Sequence, residues 1–251
     1  MKERLISTRN LRLALLALGL ATGVCLSMIV GRTMFFQPLG FSGLLRRIEL
    51  RGLVWNIFLA WIPLFLALLI HALATRFKRR FGPVVVCGIA WFLFFPNAPY
   101  LVTDLVHWKN RAPVPIWFDL LMIMSFAWTG LLLGYLSLYL MQELVRRWKG
   151  RGWSWSFVVL VLSLSSFGIY LGRFQRLNSW DVFAHPMGLL SDVTRSADFA
   201  RSPETLAFSA TFFAFSFFSY LTLFALTHLH GMADPVALKT VSAALPPGGK
   251  V

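Results

Sequence analysis

Acidic residues are scarce. The 251-residue chain has 10 Asp+Glu against 24 Lys+Arg, and only 14% of its residues are charged. Soluble domains are about a quarter charged, so this chain lacks the hydrophilic surface of a water-soluble enzyme. Cysteine is also scarce, at 2 residues, which excludes a disulfide framework. Cys25 falls toward the outer end of the first apolar run and Cys87 toward the inner end of the third. Their depths differ by more than the Cα separation of a disulfide, so both are expected to be small apolar fillers. No Walker loop, zincin helix, nucleophile elbow or Rossmann fingerprint occurs, so no cofactor is expected. No Lys/Arg-rich tail or soluble basic domain is present to carry a nucleic-acid footprint.

Apolar residues are abundant. They make up 57% of the chain, and the mean hydropathy is +0.68. Such a chain is not disordered, and its surplus apolar side chains need a non-aqueous home. The expected fold is all-α: a transmembrane helix bundle in one integral membrane domain, with membrane lipids as its partners. The net charge of +14 then belongs to loops and tails touching anionic lipid.

A helix needs about 20 apolar residues to cross the hydrocarbon core. Windows of that kind run from Leu11 to Val30, Leu53 to Ala74, Pro83 to about Leu101, Ile116 to about Tyr139, Trp153 to Leu171, and about Thr205 to Leu226. The first follows Lys2, Arg4 and Arg9 and so resembles a signal peptide. It is longer than a signal h-region, no small-x-small site closes it, and Val24 spoils a lipobox at Cys25, so it is expected to be an uncleaved span.

With six spans, both termini and the short clusters Arg76, Lys78, Arg79, Arg80 and Arg146, Arg147, Lys149, Arg151 share one side. The positive-inside rule makes that side cytoplasmic, with residues 1–10 and 227–251 as cytoplasmic tails. The pairs Gly19/Gly23, Gly130/Gly134 and Gly168/Gly172 have the spacing that lets helices approach closely, within the bundle or between copies of the chain. Trp55, Trp108, Trp117, Trp153 and Trp155 fall at span ends, at headgroup depth. The run FFAFSFFSYLTLF suits a lipid-facing or packing surface.

Polar residues gather on the outer side. In FFPNAPYLVTDLVHW, only residues 83–95 precede Pro96, about 20 Å of helix, so the third span breaks between Pro96 and Pro99 before crossing the bilayer. Asn97 is available to bind the freed carbonyls. A resumed helix places Asp104 and His107 on one face. In SSFGIYLGRFQRLNSWD, Arg173 emerges at the outer interface, followed by Arg176, Asn178, Trp180 and Asp181. Asp119 opens the fourth span at that level, and Asn56 lies near the outer end of the second. Two readings follow. In one, Asp104, Asp119 and Asp181 neutralise Arg173 and Arg176 while Asn97 and Asn178 cap broken helices. In the other, the residues surround a pocket. The pairs Asp104/His107 and Asp181/His185 have oxygen and nitrogen donors suited to Zn, Mn or Fe, but their spacing is non-specific and no metal is assigned. His71, His228 and His230 belong to the opposite face.

The segments Pro96 to Asp104, Trp117 to Asp119 and Gly172 to Asp181 resemble the PNAPY-x-x-TD, WxD and GRF-x-R-x-NSWD motifs of bacterial multi-pass membrane proteins grouped as domain of unknown function 1361. The resemblance covers the chain from the second span onward. It implies a bacterial inner-membrane location and makes the outer-face residues the family's defining feature.

The expected function is a polar extracytoplasmic site for a lipid headgroup or envelope precursor, drawing on Asn97, Tyr100, Thr103, Asp104, His107, Asp119, Arg173, Arg176, Asn178, Trp180 and Asp181. The alternatives are a membrane-embedded enzyme using Asp104, His107, Asp119 or Asp181, a transporter, and a scaffold subunit. The first requires two of those groups in contact at an open cavity. A transporter normally carries midplane charge, which these spans lack.

Overall fold

The computed structural model describes residues 8–36, 41–76, 81–107, 114–175, 187, 193–194 and 203–229. The described residues contain no strand. The helices are α1 (Thr8–Phe36), α2 (Phe41–Arg76), α3 (Phe81–Phe94), a single turn α4 (Asn97–Tyr100) running into a 3-10 helix (Leu101–His107), α5 (Ile116–Lys149), α6 (Arg151–Phe174) and α7 (Pro203–Leu229). Among them, 6 segments are long and apolar enough to cross a membrane, with the third running from Gly82 to Val106 through the break. Leu16, Leu20, Val86, Ile89 and Phe218 are each more than half exposed on the perimeter, where lipid rather than water solvates them. The chain is a multi-pass membrane protein.

The helices outrun the apolar windows because bilayer thickness limits a span and not the helix containing it. α5 has 34 residues, about 51 Å of helix, and nothing breaks it between Tyr139 and Lys149. Arg146, Arg147 and Lys149 in its last turn complement the negative end of the helix dipole. Gly150 alone joins α5 to α6. Its φ of 94° is left-handed, and its N–H donates to the Arg146 carbonyl at 2.9 Å. The basic cluster expected in a loop therefore lies on two helix ends. Pro63 is accommodated inside α2, which stays continuous.

α5 is the central helix and packs against α1, α2, the broken third span and α6, while α7 lies mainly on α6. The glycine pairs divide. A Cβ at Gly130 would stand 2.5 Å from Leu101 Cδ1 and 2.6 Å from the Ala98 carbonyl oxygen, and one at Gly134 would stand 3.2 Å from the Ala98 Cβ. Only glycine lets α4 lie this close to α5. Gly168 faces Pro96 at 3.6 Å, an ordinary contact, whereas Gly19 and Gly23 face open space.

Several polar side chains inside the bundle are paired. Trp91 Nε1 donates to Ser137 Oγ at 2.7 Å, both residues being buried, and the Trp91 ring lies against Phe157. His71, expected at the interface opposite the polar layer, bonds the Leu140 carbonyl on α5 at 2.7 Å. Cys25 and Cys87 are free thiols, and Cys25 Sγ lies 3.5 Å from Thr129 Oγ1. Trp155, expected as a headgroup anchor, is half-buried with its ring 5.0 Å from that of Phe224. The α7 phenylalanines face both ways: Phe213, Phe217 and Phe224 pack on the core, and Phe215 and Phe218 are exposed.

Candidate functional site

Six crossings put the start of α1 and the end of α7 at one end of the bundle, the terminal end. The described polar residues of the sequence motifs lie at the other, the far end. The third span creates this layer. α3 stops at Phe94 because Pro96 has no N–H to continue the ladder, and Asn97 Nδ2 donates to the freed Phe94 carbonyl at 3.0 Å. The chain then winds as α4 and a 3-10 helix, in which residues three apart stack. Thr103 Oγ1 donates to the Tyr100 carbonyl at 2.7 Å. Asp104 projects from this tight turn and is 8% exposed.

Arg173 arrives from the last turn of α6, where a cation suits the helix dipole. Its Nη1 donates to Asp104 Oδ1 at 3.1 Å and reaches the Tyr100 hydroxyl at 3.4 Å, and its Nη2 donates to the Thr103 carbonyl at 2.7 Å. The guanidinium also stands over the Tyr100 ring, 5.7 Å from its centroid. Asn56 Nδ2 on α2 donates to Asp104 Oδ2 at 3.1 Å. Residues from α2, the broken span and α6 therefore close on one another, with the Arg173 and Asp104 side chains 9% and 10% exposed. This cluster is a lock: the carboxylate and guanidinium neutralise each other in a layer where either alone would be costly.

Asp119 behaves differently. It opens α5, where an anion suits the helix amino terminus. Its partner is not Arg173, as one reading of the sequence expected, but Arg32 of α1. Arg32 Nε donates to Oδ1 at 2.6 Å and Nη2 to Oδ2 at 2.9 Å, a bidentate pair with side chains 6% and 11% exposed. Arg32 was missed because residues just past a 20-residue window read as loop. A usable signal was there: the uncharged run ends on a cation, and Asp119 opens another span at the same depth. Arg32 Nη1 is buried and has no hydrogen-bond partner among the described residues.

The side chain of His107 lies outside the described residues, as do Arg176, Asn178, Trp180, Asp181 and His185. Among the described residues, no group of three or more His, Cys, Asp or Glu is placed to hold a metal. Asp104 and Asp119 are each engaged by a different arginine, so the pair does not form the shared acid/base centre of the enzyme reading.

The family profile described as protein of unknown function (DUF1361) matches residues 55–221. The chain belongs to the DUF1361 family. The match takes in Asn56, the broken span, Asp119 and Arg173, and α1 with Arg32 lies outside it. No curated protein and no solved structure matches the chain.

Proposed function

We propose that this DUF1361 protein sits in a bacterial inner membrane with both termini cytoplasmic, and that its far end receives an anionic headgroup from a lipid or envelope precursor. The observation that carries this reading is the spare donor of Arg32. Two of its three nitrogens are committed to Asp119, and Nη1 is buried without a partner among the described residues. A buried unsatisfied donor on a charged group costs on the order of 1–3 kcal/mol, a cost that a bound anionic oxygen removes. The Asp104–Arg173 lock supports the site by fixing the third span beside it. Orientation is supported by Arg146, Arg147, Lys149 and Arg151 at the terminal end. The open face of Gly19 and Gly23 on α1 favours association between copies of the chain.

The test is lipid retention. Arg32→Lys keeps the charge opposite Asp119 and removes Nη1. Native mass spectrometry of protein extracted in mild detergent is expected to find anionic lipid on the wild type and less on the variant. Equal retention contradicts the reading.

A further inference from the structure

At the terminal end, α5, α6 and α7 enclose a cleft of about 210 Å³, at the opposite end of the bundle from Arg32. Its walls include Gln142, Glu143, Arg146, Arg151, Trp155 and Phe224. The acid is already neutralised: Glu143 Oε2 accepts from Arg146 Nε at 2.8 Å, and Oε1 accepts from Arg146 Nη2 and Arg147 Nε, each at 3.1 Å. Arg151 opens α6 and is exposed, and its guanidinium makes no hydrogen bond or ion pair with a described residue. Gln142 is 4% exposed; its side-chain oxygen accepts from the Tyr220 hydroxyl, and its amide nitrogen has no described partner. The amino-terminal turn of the 24-residue α6 also lines the cleft through Arg151 and Ser154; the Ser154 N–H donates to the Gly150 carbonyl at 3.2 Å, and the positive end of the helix dipole favours an anion. The Arg151 guanidinium and the Gln142 amide nitrogen are donors, the Tyr139 hydroxyl can donate as well, and the net charge of the lining is positive.

We infer that this cleft binds the phosphate ester of an anionic phospholipid. Its volume is below the roughly 300–1,000 Å³ of drug-sized sites, which suits a headgroup better than a nucleotide. Trp148 and Trp153, 49% and 68% exposed at the same end, mark headgroup depth, and Trp155 and Phe224 give the cleft an apolar wall. Basic clefts between transmembrane helices are suited to anionic headgroups for the same reason.

The experiment is the thermal midpoint of the delipidated full chain in neutral detergent, titrated with phosphatidylglycerol, phosphatidylcholine or inorganic phosphate. Phosphatidylglycerol alone is expected to raise the midpoint of the wild type, of Arg12→Gln, an exposed control at the same end, and of Arg32→Lys. Arg151→Gln should unfold at the wild-type midpoint without lipid and need about tenfold more phosphatidylglycerol for the same shift, the worth of one charged hydrogen bond. An unchanged response of Arg151→Gln overturns the inference, as does a phosphatidylcholine response equal to that of phosphatidylglycerol. An equal response to inorganic phosphate assigns the cleft to free anion and overturns the lipid assignment. Loss of the response in Arg32→Lys with retention in Arg151→Gln moves binding to the far end and also overturns it.

Discussion

Replacing Gly130 by alanine tests how the far-end layer is held in place. The new methyl carbon would lie 2.6 Å from the Ala98 carbonyl oxygen and 2.5 Å from Leu101 Cδ1. A carbon meets a carbonyl oxygen no closer than about 3.3 Å, so α4 and the 3-10 helix must retreat by roughly 0.7 Å. The Leu101 side chain can turn aside, but the carbonyl belongs to the backbone and cannot. Overpacking of this kind costs about 1–3 kcal/mol, and alanine's better helix propensity returns up to about 1 kcal/mol. The net loss is about 1–2 kcal/mol, or roughly 3–6 °C in thermal midpoint for a chain of this size. Gly134→Ala meets the Ala98 Cβ at 3.2 Å and should stay within about 0.5 kcal/mol of wild type, the small clash offsetting the propensity gain. Gly19→Ala meets nothing within 4 Å and should be neutral or slightly stabilising. The assay is thermal unfolding in detergent, followed by the near-ultraviolet signal of the tryptophans. A Gly130→Ala midpoint at or above that of Gly19→Ala refutes the close approach of the broken span to α5.

Asp104→Asn and Arg173→Gln should each destabilise the fold by the roughly 3–5 kcal/mol that breaking a buried pair costs, read as a lower thermal midpoint, and the double variant should recover part of the loss. A strictly additive cycle contradicts the lock. Trp91→Phe leaves the buried Ser137 hydroxyl without its donor and should cost about 1–3 kcal/mol, which denaturation in mixed micelles would measure. Gly150→Ala places an L side chain at φ 94° and should cost about 1–2 kcal/mol by the same assay. For topology, a cysteine introduced at Lys149 should resist an impermeant maleimide applied from outside, while one at Ile116 should react.

The number of spans was legible because about 20 apolar residues are a direct imprint of bilayer thickness. The break was legible because proline cannot continue a helix, and Asn97 sits where a freed carbonyl needs a donor. Asp104 and Arg173, about seventy residues apart in sequence, were placed at one depth by counting residues from the opposite interface, and they form an ion pair. Depth does not fix position around the bundle, so Asp119 pairs with Arg32 and not with Arg173. The one-residue turn at Gly150 was hidden for a different reason. Hydropathy falls where a helix leaves the lipid, and α5 carries on as a polar helix beyond that point. The terminal-end cleft was illegible because its residues come from three helices and none stands out in its own stretch of sequence.

The central claim is that Arg32 presents a donor to an anionic ligand at the far end. Equilibrium dialysis of the purified full chain in neutral detergent against farnesyl phosphate, a prenyl phosphate small enough to exchange freely, tests it most directly. Saturable binding is predicted to persist in Arg151→Gln, in which the terminal-end cleft is weakened, and to weaken about tenfold when Arg32→Lys is added to that variant, for the loss of one charged hydrogen bond. Absence of saturable binding in Arg151→Gln, or equal affinity with and without Arg32→Lys, would contradict the account.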